Sequence, residues 1–172
     1  NHLELKKELE ARGHIYQTNS DSEAVLHGYE EWGLDVVGKL KGMYAFSIYD
    51  SSKGIEGKGR LVLARDKLGI KPLYYSITPH GLIYASEIKA ILKFSNIVRT
   101  PDMIAVSQYL TLSATPAPRT MFEGVNKLPP GHLATVDLHG NLQIREYWNT
   151  ADNRIDLKGV SEGEIVEEIS QS

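Results

Sequence analysis

Asp21 stands in the run Thr-Asn-Ser-Asp-Ser-Glu over residues 18–23, and Ser20 and Glu23 there have the spacing of a capping box at a helix start. Capping uses those two residues and leaves the Asp21 carboxylate surplus. A carboxylate in the first helical turn is kept ionised by the helix dipole, and it is well placed to grip an ammonium group of a small ligand. A second group of charges lies in "LARDKLGIKPLYY" over 63–75, with Arg65-Asp66 at a strand end and Gly69, Lys71 and Pro72 before an aromatic strand. On spacing alone this is a rigid turn with a local Arg–carboxylate pair. A third lies in "YASEIKAIL" over 84–92, where Ser86 is a natural N-cap and Glu87 a favourable first-turn charge.

Other chemistries lack the residues they need. The chain has no cysteine, which removes disulfides, thiolate metal ligation and a thiol nucleophile from these residues. Its six histidines show no paired ligand spacing, so no metal site is expected. The glycine-rich stretch "KGIEGKG" lacks the phosphate-loop spacing and sits between two strands, which makes it a hairpin loop. No G-x-S-x-G elbow is present. Lys+Arg 19 against Asp+Glu 22 gives a net charge of −3, with no general attraction for nucleic acid or an anionic membrane. No apolar run approaches the ~18–20 residues of a membrane span, and the first residues carry no export pattern. A cytoplasmic location is the expectation.

The elements that must position these residues follow from periodicity. "LELKKELEARG" places Leu3, Leu5 and Leu9 at helical spacing, with Gly13 as a stop. "HIYQT" over 14–18 is predicted as a short strand, and the capped helix after it carries Ala24, Val25, Gly28, Tyr29 and Trp32 on its apolar side. "LDVVGKLK" over 34–41 adds a further turn or two. "GMYAFSIYD" over 42–50 is almost continuously apolar, the pattern of a strand buried on both faces, and "RLVLARD" over 60–66 is its returning partner. "KPLYYSIT" with "GLIYASE" forms a second hairpin, and residues 132–148 a third. Short helices are predicted at 87–94 and at 101–110, the latter with Pro101 at its N-terminus. Between 111 and 131 runs a long loop holding four of the seven prolines. Beyond Trp148 the chain turns polar and then enters an amphipathic helix with Ile165, Val166 and Ile169 on one side, started by a Ser161–Glu164 box. Both ends are abrupt, as in a window cut from a longer protein. The class is α+β, dominated by antiparallel hairpins with helices in a separate layer.

Taken in order, "SDSE", "LKGMYAFSIYD", "LARDKLGIKPLYY", "YASEIKAIL", "TMFEGVNKLPPGH" and "YW" strongly resemble the class II glutamine amidotransferase domain of glutamine-hydrolysing asparagine synthetases. The resemblance implies a four-layer αββα sandwich of the N-terminal-nucleophile hydrolase type, incomplete at the N-terminus. It divides the chain into residues 1–148, the C-terminal two-thirds of the amidotransferase domain, and residues 149–172, a linker and the start of an ATP-dependent synthetase domain. In that family an N-terminal cysteine attacks the side-chain amide of glutamine, with its own α-amine as base. The ammonia released passes through a tunnel to the synthetase domain, which adenylates aspartate and aminates it.

Residue by residue, the resemblance carries over little of this machinery. The nucleophile is expected several tens of residues before Asn1, as is the arginine that holds the glutamine carboxylate. Asn1-His2 is similar to the tail of the family's Asn-Gly-Glu…Tyr-Asn-His stretch. Asp21 resembles the family's ligand to the glutamine α-ammonium. Arg65, Asp66 and Glu87 are assigned by motif position to support of the site or to the domain interface. ATP and Mg2+ are expected in the synthetase domain, whose S-G-G-x-D-S motif does not occur here. Glutamine and that domain are the expected partners, and a homodimer is one assembly the parent could adopt. These residues alone are expected to be catalytically inert. Two alternatives stay open: an amidotransferase with another acceptor, including one that closes a β-lactam ring, and a non-catalytic module on the same fold.

Overall fold

A computed structural model describes residues 1–52, 59–152, 161–163 and 166–167. The expected hairpin loop over 51–59, and the terminal helix with its Ser161–Glu164 box, lie largely outside the described residues. Helices α1 (His2–Ala11) and α2 (Asp21–Trp32) open the chain, followed by a 3-10 turn (Gly33–Asp35) and a single turn, α3 (Val36–Lys39). Strands β1 (Ala45–Asp50) and β2 (Arg60–Arg65) pair antiparallel, as do β3 (Tyr74–Thr78) and β4 (Gly81–Ala85). Helices α4 (Ile88–Ile91) and α5 (Met103–Leu112) lead into the long loop, a two-residue strand β5 (Asn126–Lys127), and the hairpin of β6 (His132–Asp137) with β7 (Leu142–Glu146).

The strands form two sheets, one in the order β1-β2-β6-β7 and the other β4-β3-β5. Strand β2 shows why its sequence is apolar at every position from Leu61 to Ala64. Side chains alternate across a strand, and both faces of this one are covered. Val62 and Ala64, with Leu133 from β6, face Leu5, Leu9, Ala24 and Tyr29 of the first two helices and Val36 and Val37 of α3. Leu63, with Ala134 of β6, faces Leu73, Tyr75 and Leu128 of the second sheet. Strands β3 and β4 in turn carry α4. Helix, sheet, sheet and helix therefore stack in sequence, which is the four-layer sandwich implied by the resemblance.

Three local expectations give way to other physics. Residues 14–18 form no strand: the Glu23 carboxylate accepts the amide N–H groups of Gln17 at 2.6 Å and Thr18 at 2.7 Å, so these donors are satisfied by the next helix rather than by a neighbouring strand. Strand β1 is not buried on both faces: Phe46 and Ile48 pack against the helix-side core, whereas Ser47 and Tyr49 on the other face are exposed, Tyr49 by 62%. Helix α5 begins at Met103 under the Asp102 cap, while Pro101 makes a β-bridge with Phe122.

Candidate functional site

Ser20 caps α2 as its spacing predicts, accepting the Ser22 amide at 3.2 Å. The reach-back partner differs from a simple box. Glu23 passes Ser20 and takes the Gln17 and Thr18 amides and the Thr18 hydroxyl. Those bonds, the Thr18 hydroxyl first, hold its pKa down at about 2. Asp21 takes no part in this and stands exposed at the first helical position, its nearest polar contact being the Ser22 hydroxyl at 3.5 Å.

In front of Asp21 opens a cleft of about 570 Å³. Its walls come from five stretches of chain: Asn1-His2, the start of α2, residues 40–46, Lys71-Pro72 and Ser86. Asn1 fixes one wall with both ends of its amide, donating from Nδ2 to the Lys39 carbonyl at 3.0 Å and accepting the Lys41 amide at 2.8 Å. Ser86 reaches the cleft because it does not cap α4. The N-cap is Glu87, which makes no side-chain capping bond.

Behind the opposite wall, Arg65 and Asp66 build the turn that delivers Lys71 and Pro72. Asp66 is 1% exposed, and its carboxylate accepts the amides of Ile70 and Lys71, each at 2.9 Å. Its carbonyl accepts the Gly69 and Gly131 amides at 3.0 and 2.9 Å. Arg65 donates to three carbonyls, those of Lys71, Gly69 and Leu128, all at 2.7 Å. Burial lowers the guanidinium pKa and the nearby Asp66 charge raises it. The two residues thus hold one turn from separate sides and do not form the local Arg–carboxylate pair expected of neighbours in sequence. Gly69 (φ +67°) and Gly131 (φ +66°) are required here. A Cβ on the first would lie 2.8 Å from Pro130, and one on the second 2.3 Å from the Trp148 carbonyl oxygen.

The same turn is tied to the cleft by aromatic hydroxyls. Tyr147 donates to the Arg65 carbonyl at 2.7 Å and lies 2.7 Å from the hydroxyl of Tyr44, which lines the cleft. Burial pushes both phenol pKa values upward. Nothing in the sequence pairs two tyrosines 103 residues apart. Lys71 was legible only as part of a turn, and Ser86 only as a cap. The structure therefore brings Asp21 to the cleft, sets Arg65 and Asp66 behind its wall, and leaves Glu87 exposed and paired with Lys89 at 2.5 Å.

Residues 1–148 match the family model described as "Glutamine amidotransferase domain". The chain belongs to the glutamine amidotransferase domain family. Among its relatives, the amidotransferase domain is 37% identical over 152 residues to asparagine synthetase [glutamine-hydrolyzing] 3 of Bacillus subtilis, covering 88% of this chain and 24% of that protein. It is 34% identical over 148 residues to asparagine synthetase [glutamine-hydrolyzing] 1 of the same organism, covering 86% and 22%. The chain thus spans about a quarter of the length of these curated relatives. The solved structure of the glutamine phosphoribosylpyrophosphate amidotransferase of B. subtilis superposes with a TM-score of 0.56 at 22% identity, over 86% of this chain and 27% of that one. That likeness establishes that the two chains share a fold. Within this glutamine amidotransferase domain, the cleft is lined by Asp21, Lys41 and Lys71 among its charged residues, and the sequence contributes no thiol.

Proposed function

We propose that these residues form the ligand-holding part of the glutaminase domain of a glutamine-hydrolysing asparagine synthetase. Glutamine enters the cleft with its α-ammonium against Asp21. The attacking cysteine and its α-amine base are supplied from outside these 172 residues. The ammonia released is passed to a synthetase domain that uses ATP and Mg2+ to amidate aspartate, in the cytoplasm, with residues 149–172 leading into that domain. The observation that carries the reading is the position of Asp21. It is exposed on the cleft wall and unused by capping, in a chain whose family model spans residues 1–148. Arg65 and Asp66 support this site by holding the turn that carries Lys71 and Pro72.

Asp21→Asn in the intact enzyme tests it. Loss of a charge-assisted contact costs on the order of 2–4 kcal/mol, so kcat/KM for glutamine should fall roughly 30- to 1000-fold, mainly through KM. Synthesis driven by free ammonia should be unchanged. Equal loss of both activities would overturn the assignment.

A further inference from the structure

On the flank of α2 away from the cleft, the fold assembles ligands that are scattered in sequence. His14 leaves α1 on the connecting loop, its amide held by the Leu9 carbonyl, and turns towards His27 on α2. The two imidazoles lie 5.0 Å apart between ring centres. Glu30 stands one helical turn beyond His27. Its Oε2 atom is 2.8 Å from Nδ1 of His27 and 3.6 Å from Nδ1 of His14. The ligand atoms of the three residues all lie within 4.8 Å of one another.

We propose that His14, His27 and Glu30 bind a single divalent transition-metal ion of the zinc class. Three ligand atoms at ~2.0–2.1 Å from a tetrahedral ion stand about 3.4 Å apart, a spacing bracketed by the two Glu30 distances. Imidazole with carboxylate suits Zn2+, Co2+, Ni2+ and Cu2+ and disfavours Mg2+ and Ca2+.

The outer contacts carry the inference further than three converging side chains alone. Each histidine turns its other ring nitrogen to a separate carboxylate. His14 Nε2 lies 3.2 Å from Glu31, and His27 Nε2 lies 3.5 Å from Glu23. Binding displaces the proton with which His27 Nδ1 donates to Glu30 at 2.8 Å; a proton on each Nε2 then satisfies the outer carboxylates and frees both Nδ1 lone pairs for the ion. This is the carboxylate–histidine arrangement that orients metal-binding imidazoles. The outer carboxylates are themselves fixed, Glu31 by Arg12 at 3.0 Å and Glu23 by the Gln17 and Thr18 amides. Tyr16 packs on the His27 ring at 4.8 Å. Glu30 keeps 52% of its side chain exposed, so an ion has an entry path and a fourth position for water. The carboxylates outnumber the one guanidinium bonded to them, which favours a cation. Twelve residues lie between the two histidines, and the turn between α1 and α2 closes that gap.

Titration of Zn2+ into the metal-stripped, untagged protein by calorimetry should give one ion with a Kd in the micromolar range or tighter. Co2+ should give the intense visible absorption of a four-coordinate site. His14→Asn and His27→Asn should each weaken Zn2+ binding at least tenfold, and Glu31→Gln about tenfold through orientation of His14. His80→Asn and His139→Asn, at exposed turns, should change nothing. Should either histidine variant fail to fold, Glu30→Gln at the exposed ligand gives the same reading by the same titration. No stoichiometric binding, or binding that survives Glu30→Gln and the His14 and His27 variants unchanged, would overturn the proposal.

Discussion

Asp21 and Asp66 show how one residue type serves two purposes in this domain. Asp21 is exposed, bonds weakly to its neighbour, and faces a cleft. Asp66 is buried and spends both carboxylate oxygens on backbone amides. The sequence distinguished them only partly. A carboxylate left over after capping pointed to Asp21 as a ligand group. Neither the burial of Asp66 nor the separate engagement of Arg65 was legible, because adjacent residues at a strand end point to opposite sides, and their partners lie up to 63 positions away. The substitution Asp66→Asn exposes the difference. An amide offers one acceptor where two amide donors converge, and turns its own donor toward the second. The variant should lose about 1–3 kcal/mol of stability, a fall in Tm of several degrees. Asp21→Asn should leave Tm unchanged. Thermal unfolding of both variants checks the pair, and an unchanged Tm for Asp66→Asn would show that the turn does not depend on that carboxylate.

Whole elements were legible where local periodicity and burial agree, and illegible where a side chain took over a backbone bond. The amphipathic pattern of α2 and its Ser20 cap were both readable. The loop before it was not, since "HIYQT" has strand-forming residues whose amides Glu23 removes from any ladder. Helix α5 makes the same point at its start. Pro101 looked like the first helical residue, but Asp102 is the cap, accepting the Ile104 and Ala105 amides at 3.0 and 3.1 Å and pairing with Arg119 at 2.5 Å. The Ala105 amide and Arg119 lower the Asp102 pKa below its ordinary value of 3.8. A lowered folded-state pKa stabilises the fold above the unfolded value, and that contribution is lost as pH falls through the folded one. Asp102→Asn keeps an acceptor and removes the titration. The stability difference between the native protein and this variant should therefore be constant from pH 7 to about 5 and shrink below 3.8. Denaturant midpoints at pH 6 and pH 3 measure it, and an equal difference at both would refute the assignment.

At the scale of the whole molecule, the sequence specifies the hairpins and their apolar faces, but not how the two sheets meet the cleft. Hairpins follow from nearest neighbours along the chain. The pairing of β2 with β6 and the five-part cleft depend on contacts between distant segments, for which alternation and turn residues carry no address. The Tyr44–Tyr147 contact is the clearest such link, since it joins the cleft wall beside β1 to the end of the β6–β7 hairpin and to the Arg65 carbonyl. If it couples those parts, the two hydroxyls must contribute jointly rather than singly. A double-mutant cycle with Tyr44→Phe, Tyr147→Phe and the double variant isolates that term, because phenylalanine keeps the packed ring and removes only the hydroxyl. Each single variant should cost about 1–3 kcal/mol by leaving a partly buried partner unsatisfied. The double variant should cost less than their sum by at least about 0.5 kcal/mol. Strict additivity in denaturant unfolding would mean that the hydroxyls act independently, each through its own backbone carbonyl, Arg65 for Tyr147 and Val37 for Tyr44.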